Sequence, residues 1–449
     1  MRALLLTVGS QGDVQPYVAL ASRLRAAGHD VVLAAPAVYQ SLTNHQGLTD
    51  NQGLTGDPFV PLDLDMTAVG QAVDGKHGLR HMLAFTKAMG RQAPSILPQL
   101  TKLAREGADV VVHHPVLPLG QHLAELLRVP AVVASPLPAL VPTREFFSPA
   151  WPAAKLPLPK ALNRPSYRAA RYATGAWCRR DVDRWRATDL GLDNSKKSRR
   201  HDPLGNGNGN GNGDYGNGNV TVLHTFSEHV VPKPADWPVT AHITGYWSMP
   251  ENDWTPPRRL AEFLDAGEPP VYIGFGSMPV ANPARLAAAI VTAARETGTR
   301  VVLFSLDPRL RRHLGQQRTV TAIRQAPHDW LFPRMSAIVH HGGAGTTGAA
   351  VRAGRPQVIW PFGIDQHFWA GRMEDLGVAV PAKPVRALSG TTLAAAIDRA
   401  TNDAMMNDLA AGLANRIRTE DGTGVALAHL ERVTTNLKTS TNLKTRVPA

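Results

Sequence analysis

The chain has 449 residues with a hydrophobic fraction of 43%, too long for one ordinary domain and apolar enough to fill two cores. A formal net charge of +12 suits nucleic acid, an anionic membrane surface or a phosphorylated small molecule. Zinc-finger spacing and an aromatic-rich RNA-binding signature are both missing, so no nucleic-acid partner is expected. The single cysteine, Cys178, excludes an internal disulfide, and no apolar run approaches the roughly 20 residues of a membrane span.

The opening MRALLLTVGS has one basic residue and no A-x-A-like cleavage site, so it reads as a first strand rather than a signal peptide, and a cytoplasmic location is expected. Residues 9–13 form a turn. From Gln15 the pattern turns helical, with Tyr17, Leu20, Ala21 and Leu24 on one face and Pro16 in the first turn. Gly28 ends that helix, and residues 30–35 make a second strand. Strand, turn, helix, strand is the opening of a doubly wound α/β domain. Asp63-Leu64-Asp65 is a literal D-x-D at a strand end and reads as structural.

The stretch from about 67 to 105 is largely helical. Strand signals return at 110–112 and 131–133, and 136–165 is rich in proline and aromatics, a plausible wall for an apolar pocket. A basic helical region (167–192) then leads to the repeat GNGNGNGNG. That loop, about 194–218, cannot bury a core and is expected to be disordered. A strand at 220–226 precedes a Pro- and Trp-rich linker. The α/β rhythm then restarts, giving an N-terminal domain at 1–235, a linker at 236–257, a second domain at 258–424, and a final helix and tail at 425–449 that could pack back on the first domain.

The second domain holds AIVHHGGAGTTGAAVRAGRPQVIWPFGID, which reads as strand, glycine turn, helix, strand. The first amides of such a helix have no intrahelical partner, and its dipole favours negative charge there. With hydroxyls from Thr346 and Thr347 and the ring of His341, the turn is a phosphate cradle. His340, its strand neighbour, faces the other way and stays outside the site. Residues 343–348 also spell G-x-G-x-x-G with Asp365 about 20 residues on, so a NAD(P)-dependent oxidoreductase is a rival reading. Against it, that fingerprint usually opens a domain, and it has no use for two preceding histidines. A non-catalytic sugar-nucleotide or lipid binder is a third reading.

APHDWLFPRMSAIVHHGGAGTTGAAVRAG, followed by PFGIDQHFWAGRMEDLGV, closely resembles the family-1 glycosyltransferases. The nearest branches are the sterol and lipid glucosyltransferases and the antibiotic-tailoring enzymes. GSQGDVQPYVALASRLRAAGHDVVLA and VYIGFGSM resemble two further blocks of that family, in the right order. The resemblance implies a GT-B architecture: two Rossmann-like α/β domains facing across a cleft. It implies that His341 contacts the donor diphosphate, and that Gly342, Gly343, Gly345, Thr346 and Thr347 build the cradle. Asp365 and Gln366 would hold sugar hydroxyls. Ser277 would lie near the diphosphate, and Gln325 at the nucleobase, where plant members carry a stacking Trp. Ser10 and Gly12 would face the donor from the first turn, with Asp13 as base or as a simple helix N-cap. The implied reaction is inverting hexosyl transfer from a nucleotide sugar, UDP-glucose or a dTDP-sugar, to an apolar hydroxylated acceptor such as a sterol, macrolide or other polyketide. No metal or other cofactor is expected, and weak membrane-surface association through the Arg-rich helix stays open.

Overall fold

The computed structural model describes residues 1–44, 58–73, 78–151, 159–175, 179–192, 220–249, 254–276, 282–315, 317–363 and 365–444. Its strands are β1 (Arg2–Leu6), β2 (Asp30–Pro36), β3 (Phe59–Leu62), β4 (Val110–His113), β5 (Ala131–Ser135), β6 (Val220–His224) and β7 (Ala241–Ile243), then β8 (Val271–Gly274), β9 (Val301–Phe304), β10 (Val320–Ile323), β11 (Ile338–His340), β12 (Gln357–Ile359) and β13 (Ala379–Val380). They form two parallel sheets, ordered β3-β2-β1-β4-β5-β6-β7 and β10-β9-β8-β11-β12-β13. The expected pair of α/β domains is therefore present. The strands are near-continuous apolar runs because helices cover both faces of a parallel sheet. Leu4 and Leu6 pack toward one helical layer, Leu5 and Ala3 toward the other.

In each sheet the chain order reverses beside the first strand, between β1 and β4 and between β8 and β11. Loops leaving the strand ends diverge there and open a crevice, so each sheet offers one binding position by topology alone. The two crevices face each other. A Cβ built on Gly345, at the start of helix Ala344–Ala353, would lie 3.1 Å from the Cα of Gly12, at the start of helix Gln11–Ala26.

Three details differ from the sequence reading. The first helix begins at Gln11, so Pro16 lies inside it rather than in its first turn. Lacking an N–H, Pro16 leaves the Gly12 carbonyl without its helical partner at the cleft-side end. The stretch 236–257 contributes β7, paired with β6, before it crosses over; a three-residue edge strand amid prolines gives almost no periodic signal. The last helix, Gly422–Lys444, starts earlier than expected. It lies on the first lobe, where Ala426 and Leu430 join Tyr17 and Leu24 in one core, Asp421 pairs with Arg23 at 2.9 Å and Glu431 meets His29 at 2.9 Å. The Gly/Asn repeat, Cys178 and Ser277 lie outside the described residues. No helix among the described residues is long and apolar enough to cross a membrane.

Candidate active site

The first crevice is built by the turn after β1. Gly9 sits at φ +126°, and a Cβ there would fall 2.4 Å from Oδ2 of Asp13. Only glycine lets that carboxylate fold back, where Oδ2 accepts the Ser10 backbone N–H at 2.7 Å and the Ser10 hydroxyl at 2.8 Å. Ser10 is therefore the N-cap residue. Asp13 is the third helical residue reaching back, not the simple N-cap that was the rival to a base. Its other oxygen, Oδ1, faces Nε2 of His114 at 3.6 Å.

His114 follows β4, and its N–H bonds the Leu6 carbonyl at 2.8 Å, carrying the β1–β4 pairing one step beyond the strands. Its Nδ1 accepts the Val116 N–H at 3.3 Å. Tyr17 meets the ring edge-on at 6.1 Å and is itself backed by Trp247 at 6.0 Å. Burial lowers the His114 pKa, against a smaller upward pull from Asp13. The sequence reading did not single out His114 of the adjacent His113-His114 pair. The signal lay in topology: the ends of β1 and β4 adjoin at the switch point, so one residue of that pair had to look toward the first turn.

The second crevice centres on the turn after β11. His340 is buried and structural. Its Nε2 bonds Gln357 Oε1 at 2.9 Å, its Nδ1 accepts the Gly342 N–H at 3.1 Å, and burial pushes its pKa down to about 3. The Gly342 amide is thus committed to His340. Gly342 serves the turn through φ +91° and through space, since a Cβ would lie 2.9 Å from Ile359 Cγ2. The ring of His341 fits between Gly276 and Gly343, whose added Cβ atoms would lie 2.9 Å from Cε1 and 2.6 Å from Nε2. Burial lowers the pKa of His341 to about 4, and its Nδ1 is buried without a hydrogen-bond partner.

Gly343 is the N-cap of the cradle helix, Ala344–Ala353. The Thr347 N–H bonds the Gly343 carbonyl at 2.9 Å, so the amides of residues 343–346 lie ahead of the helical ladder. The Thr347 hydroxyl is buried with no partner, Thr346 is half-buried, and Gly345 is exposed toward Gly12. A concave helix start with bare amides and two orphaned side-chain polar atoms is suited to an anion.

Asp365 holds the N-cap position of helix Gln366–Asp375 at the end of the next turn, without a capping bond from its side chain. Burial, and then the charge of Asp13, raise its carboxyl to about 6. The side-chain oxygen Oε1 of Gln366 accepts the amides of Phe362 at 2.7 Å and Gly363 at 3.1 Å, fixing the loop that carries Asp365. Gln325 is exposed. Nearby, His328 stacks on Phe332 at 4.2 Å, and burial lowers its pKa to about 4. Asp65 of the D-x-D accepts the amides of Thr67 at 2.9 Å and Ala68 at 3.0 Å, capping the next helix.

Residues 3–141 match the Glycosyltransferase family 28 N-terminal domain, and 298–442 match the Erythromycin biosynthesis protein CIII-like C-terminal domain. O-mycaminosyltylonolide 6-deoxyallosyltransferase of Streptomyces fradiae is 33% identical over 443 residues, covering 96% of this chain and 97% of that relative. The chain belongs to the family-1 GT-B glycosyltransferases. A sterol 3-beta-glucosyltransferase of Leptosphaeria maculans is also 33% identical over 447 residues. That alignment takes in 95% of this glycosyltransferase but 28% of the fungal protein, so the chain spans just over a quarter of that relative. Among solved structures, the calicheamicin glycosyltransferase CalG4 superposes with a TM-score of 0.64 at 19% identity, covering 96% of this chain and 98% of that one. VinC in complex with dTDP gives 0.63 at 20% identity, covering 97% and 100%. Both share the fold. In this glycosyltransferase the G-x-G-x-x-G follows β11, the fourth strand of its sheet in chain order, and opens the cradle helix.

Proposed function

We propose that this glycosyltransferase moves a hexose, glucose from UDP-glucose in the leading form, onto a hydroxyl of an apolar acceptor such as a sterol or polyketide, with inversion and without a metal. One observation carries the reading: a carboxylate on one lobe and a bare helix start on the other face each other, with Gly12 and Gly345 nearly in contact. The acceptor oxygen attacks the anomeric carbon, its proton passing to Asp13. The bond from that carbon to the diphosphate oxygen breaks, and the electron pair leaves with the diphosphate. Base and leaving group stand on opposite lobes, so attack comes from the face opposite the departing bond, and the configuration inverts.

The amides of residues 343–346, the Thr346 and Thr347 hydroxyls and His341 receive the growing charge. Fixed donors of this kind are worth on the order of 3 kcal/mol each when aimed at the transition state. His341 is neutral at pH 7 and serves as an N–H donor. Ionised Asp365 accepts bonds from sugar hydroxyls, and Gln366 steadies its loop. A carboxylate base is weak, so proton transfer is late and coupled to carbon–oxygen bond formation.

A dTDP-deoxysugar as donor is the second reading. It is favoured because a relative matched over 97% of its length is a 6-deoxyallosyltransferase. Incubating the protein with UDP-glucose or a dTDP-sugar, against sterol and macrolide acceptors, and following mass gain tests both. A hexosyl or deoxyhexosyl adduct that forms equally in EDTA is expected. Donor hydrolysis without transfer to any acceptor, or activity lost to EDTA and restored by Mg²⁺, would overturn the reading.

A further inference from the structure

Asp13 uses one oxygen for Ser10 and leaves the other beside an imidazole that the first-turn motif does not contain. His114 is 4% exposed, and its Nε2 is buried without a hydrogen-bond partner while pointing at Asp13 Oδ1. The tautomer is set from the far side of the ring, because Nδ1 accepts the Val116 N–H and the proton must sit on Nε2. At 3.6 Å the pair is one small carboxylate rotation from a hydrogen bond.

We propose that His114 is the positioning partner of Asp13: its Nε2–H holds the carboxylate with Oδ1 turned toward the acceptor hydroxyl. This rests on the reading of Asp13 as base. The imidazole stays neutral, since Tyr17 and Trp247 exclude water from its side of the turn. A neutral donor steadies the carboxylate without the loss of basicity that a full positive charge would impose. The charged and titratable groups facing the pair are Asp365, Tyr39 and Tyr17, on which Asp13 acts, and His113, on which His114 acts.

The test compares H114L, H114Q and H114N with the wild type, reading kcat against pH at saturating donor and acceptor. UDP affinity and a thermal melt report the fold. Leucine removes the donor, so the acid limb should move up by about one pH unit and kcat should fall on the order of tenfold, with UDP affinity kept. Glutamine places an N–H near the Nε2 position and should return the limb to its wild-type place. Should the leucine variant not fold, asparagine, whose amide falls short of Asp13, should show the same upward shift. Acid limbs that coincide across the variants would overturn the proposal, whatever happens to kcat. Asp13→Asn separates the two failures. If it kills turnover while His114 variants leave the limb in place, only the role of His114 falls. If Asp13→Asn keeps near-normal turnover, the base assignment falls.

Discussion

Asp365 and Asp13 are opposing carboxylates at one cleft, and the charge of Asp13 adds to burial in making ionisation of Asp365 harder. Asp365 carries the visible consequence, a carboxyl raised to about 6 by burial and by Asp13. Below that pH it is protonated and loses acceptor capacity for sugar hydroxyls. The donor KM should therefore rise as pH falls through about 6, and Asp13→Asn, which removes the like charge, should move that limb lower. A donor KM flat from pH 7 to 5 would remove Asp365 from sugar binding. Asp13→Asn should also cut kcat by on the order of a hundredfold or more, with UDP affinity unchanged by calorimetry.

At the scale of elements, glycines decide how closely the lobes and helices approach. Gly345→Ala would set a Cβ 3.1 Å from the Gly12 backbone, and neither partner is a side chain that could rotate away. The lobes must part, so turnover should drop severalfold while UDP affinity stays within about twofold. Loss of UDP affinity in step with kcat would mean that Gly345 serves phosphate approach instead. Gly348→Ala would place its Cβ 2.4 Å from the Tyr246 ring, which wedges the crossover segment against the cradle helix. A cost of about 1–3 kcal/mol is expected as a lowered Tm.

The elements around these glycines were largely legible in the sequence. Short apolar runs such as Leu4-Leu5-Leu6 and Ile338-Val339, bounded by glycine turns, read as strands of a covered parallel sheet, and Gly343 after a strand announces a helix start. Three features were not legible. β7 is too short to show a period, the first helix hides its opening turn behind Pro16, and the Asp13–His114 approach joins residues about a hundred positions apart through strand order. A fourth is the commitment of the Gly342 amide to His340: the strand period gives the face His340 takes, but not that its Nδ1 folds back onto an amide two residues on.

Over the whole molecule, the buried neutral histidines make stability depend on acid. His113 is lowered to about 4, His224 and His340 to about 3, all by burial. Unfolded, each titrates near 6.5. Their contribution is complete above about pH 6.5 and is lost as pH falls toward 4 and below, because the unfolded chain binds the extra protons. Asp365 opposes this, since its raised folded value lets the native state take up a proton first. The histidines outnumber it, so Tm should fall between pH 6.5 and 4, and a Tm that holds or rises there would contradict the assignment. The last helix, Gly422–Lys444, ties the end of the second lobe to the first, with Asp421 and Glu431 on Arg23 and His29.

The central claim is that a leaving diphosphate is received by the amide end of the cradle helix, opposite Asp13. A crystal structure of the protein with UDP tests it most directly. The β-phosphate oxygens are expected within hydrogen-bonding distance of the residue 343–346 amides and the His341 ring. A diphosphate bound elsewhere, with those amides turned to protein or water, would contradict it.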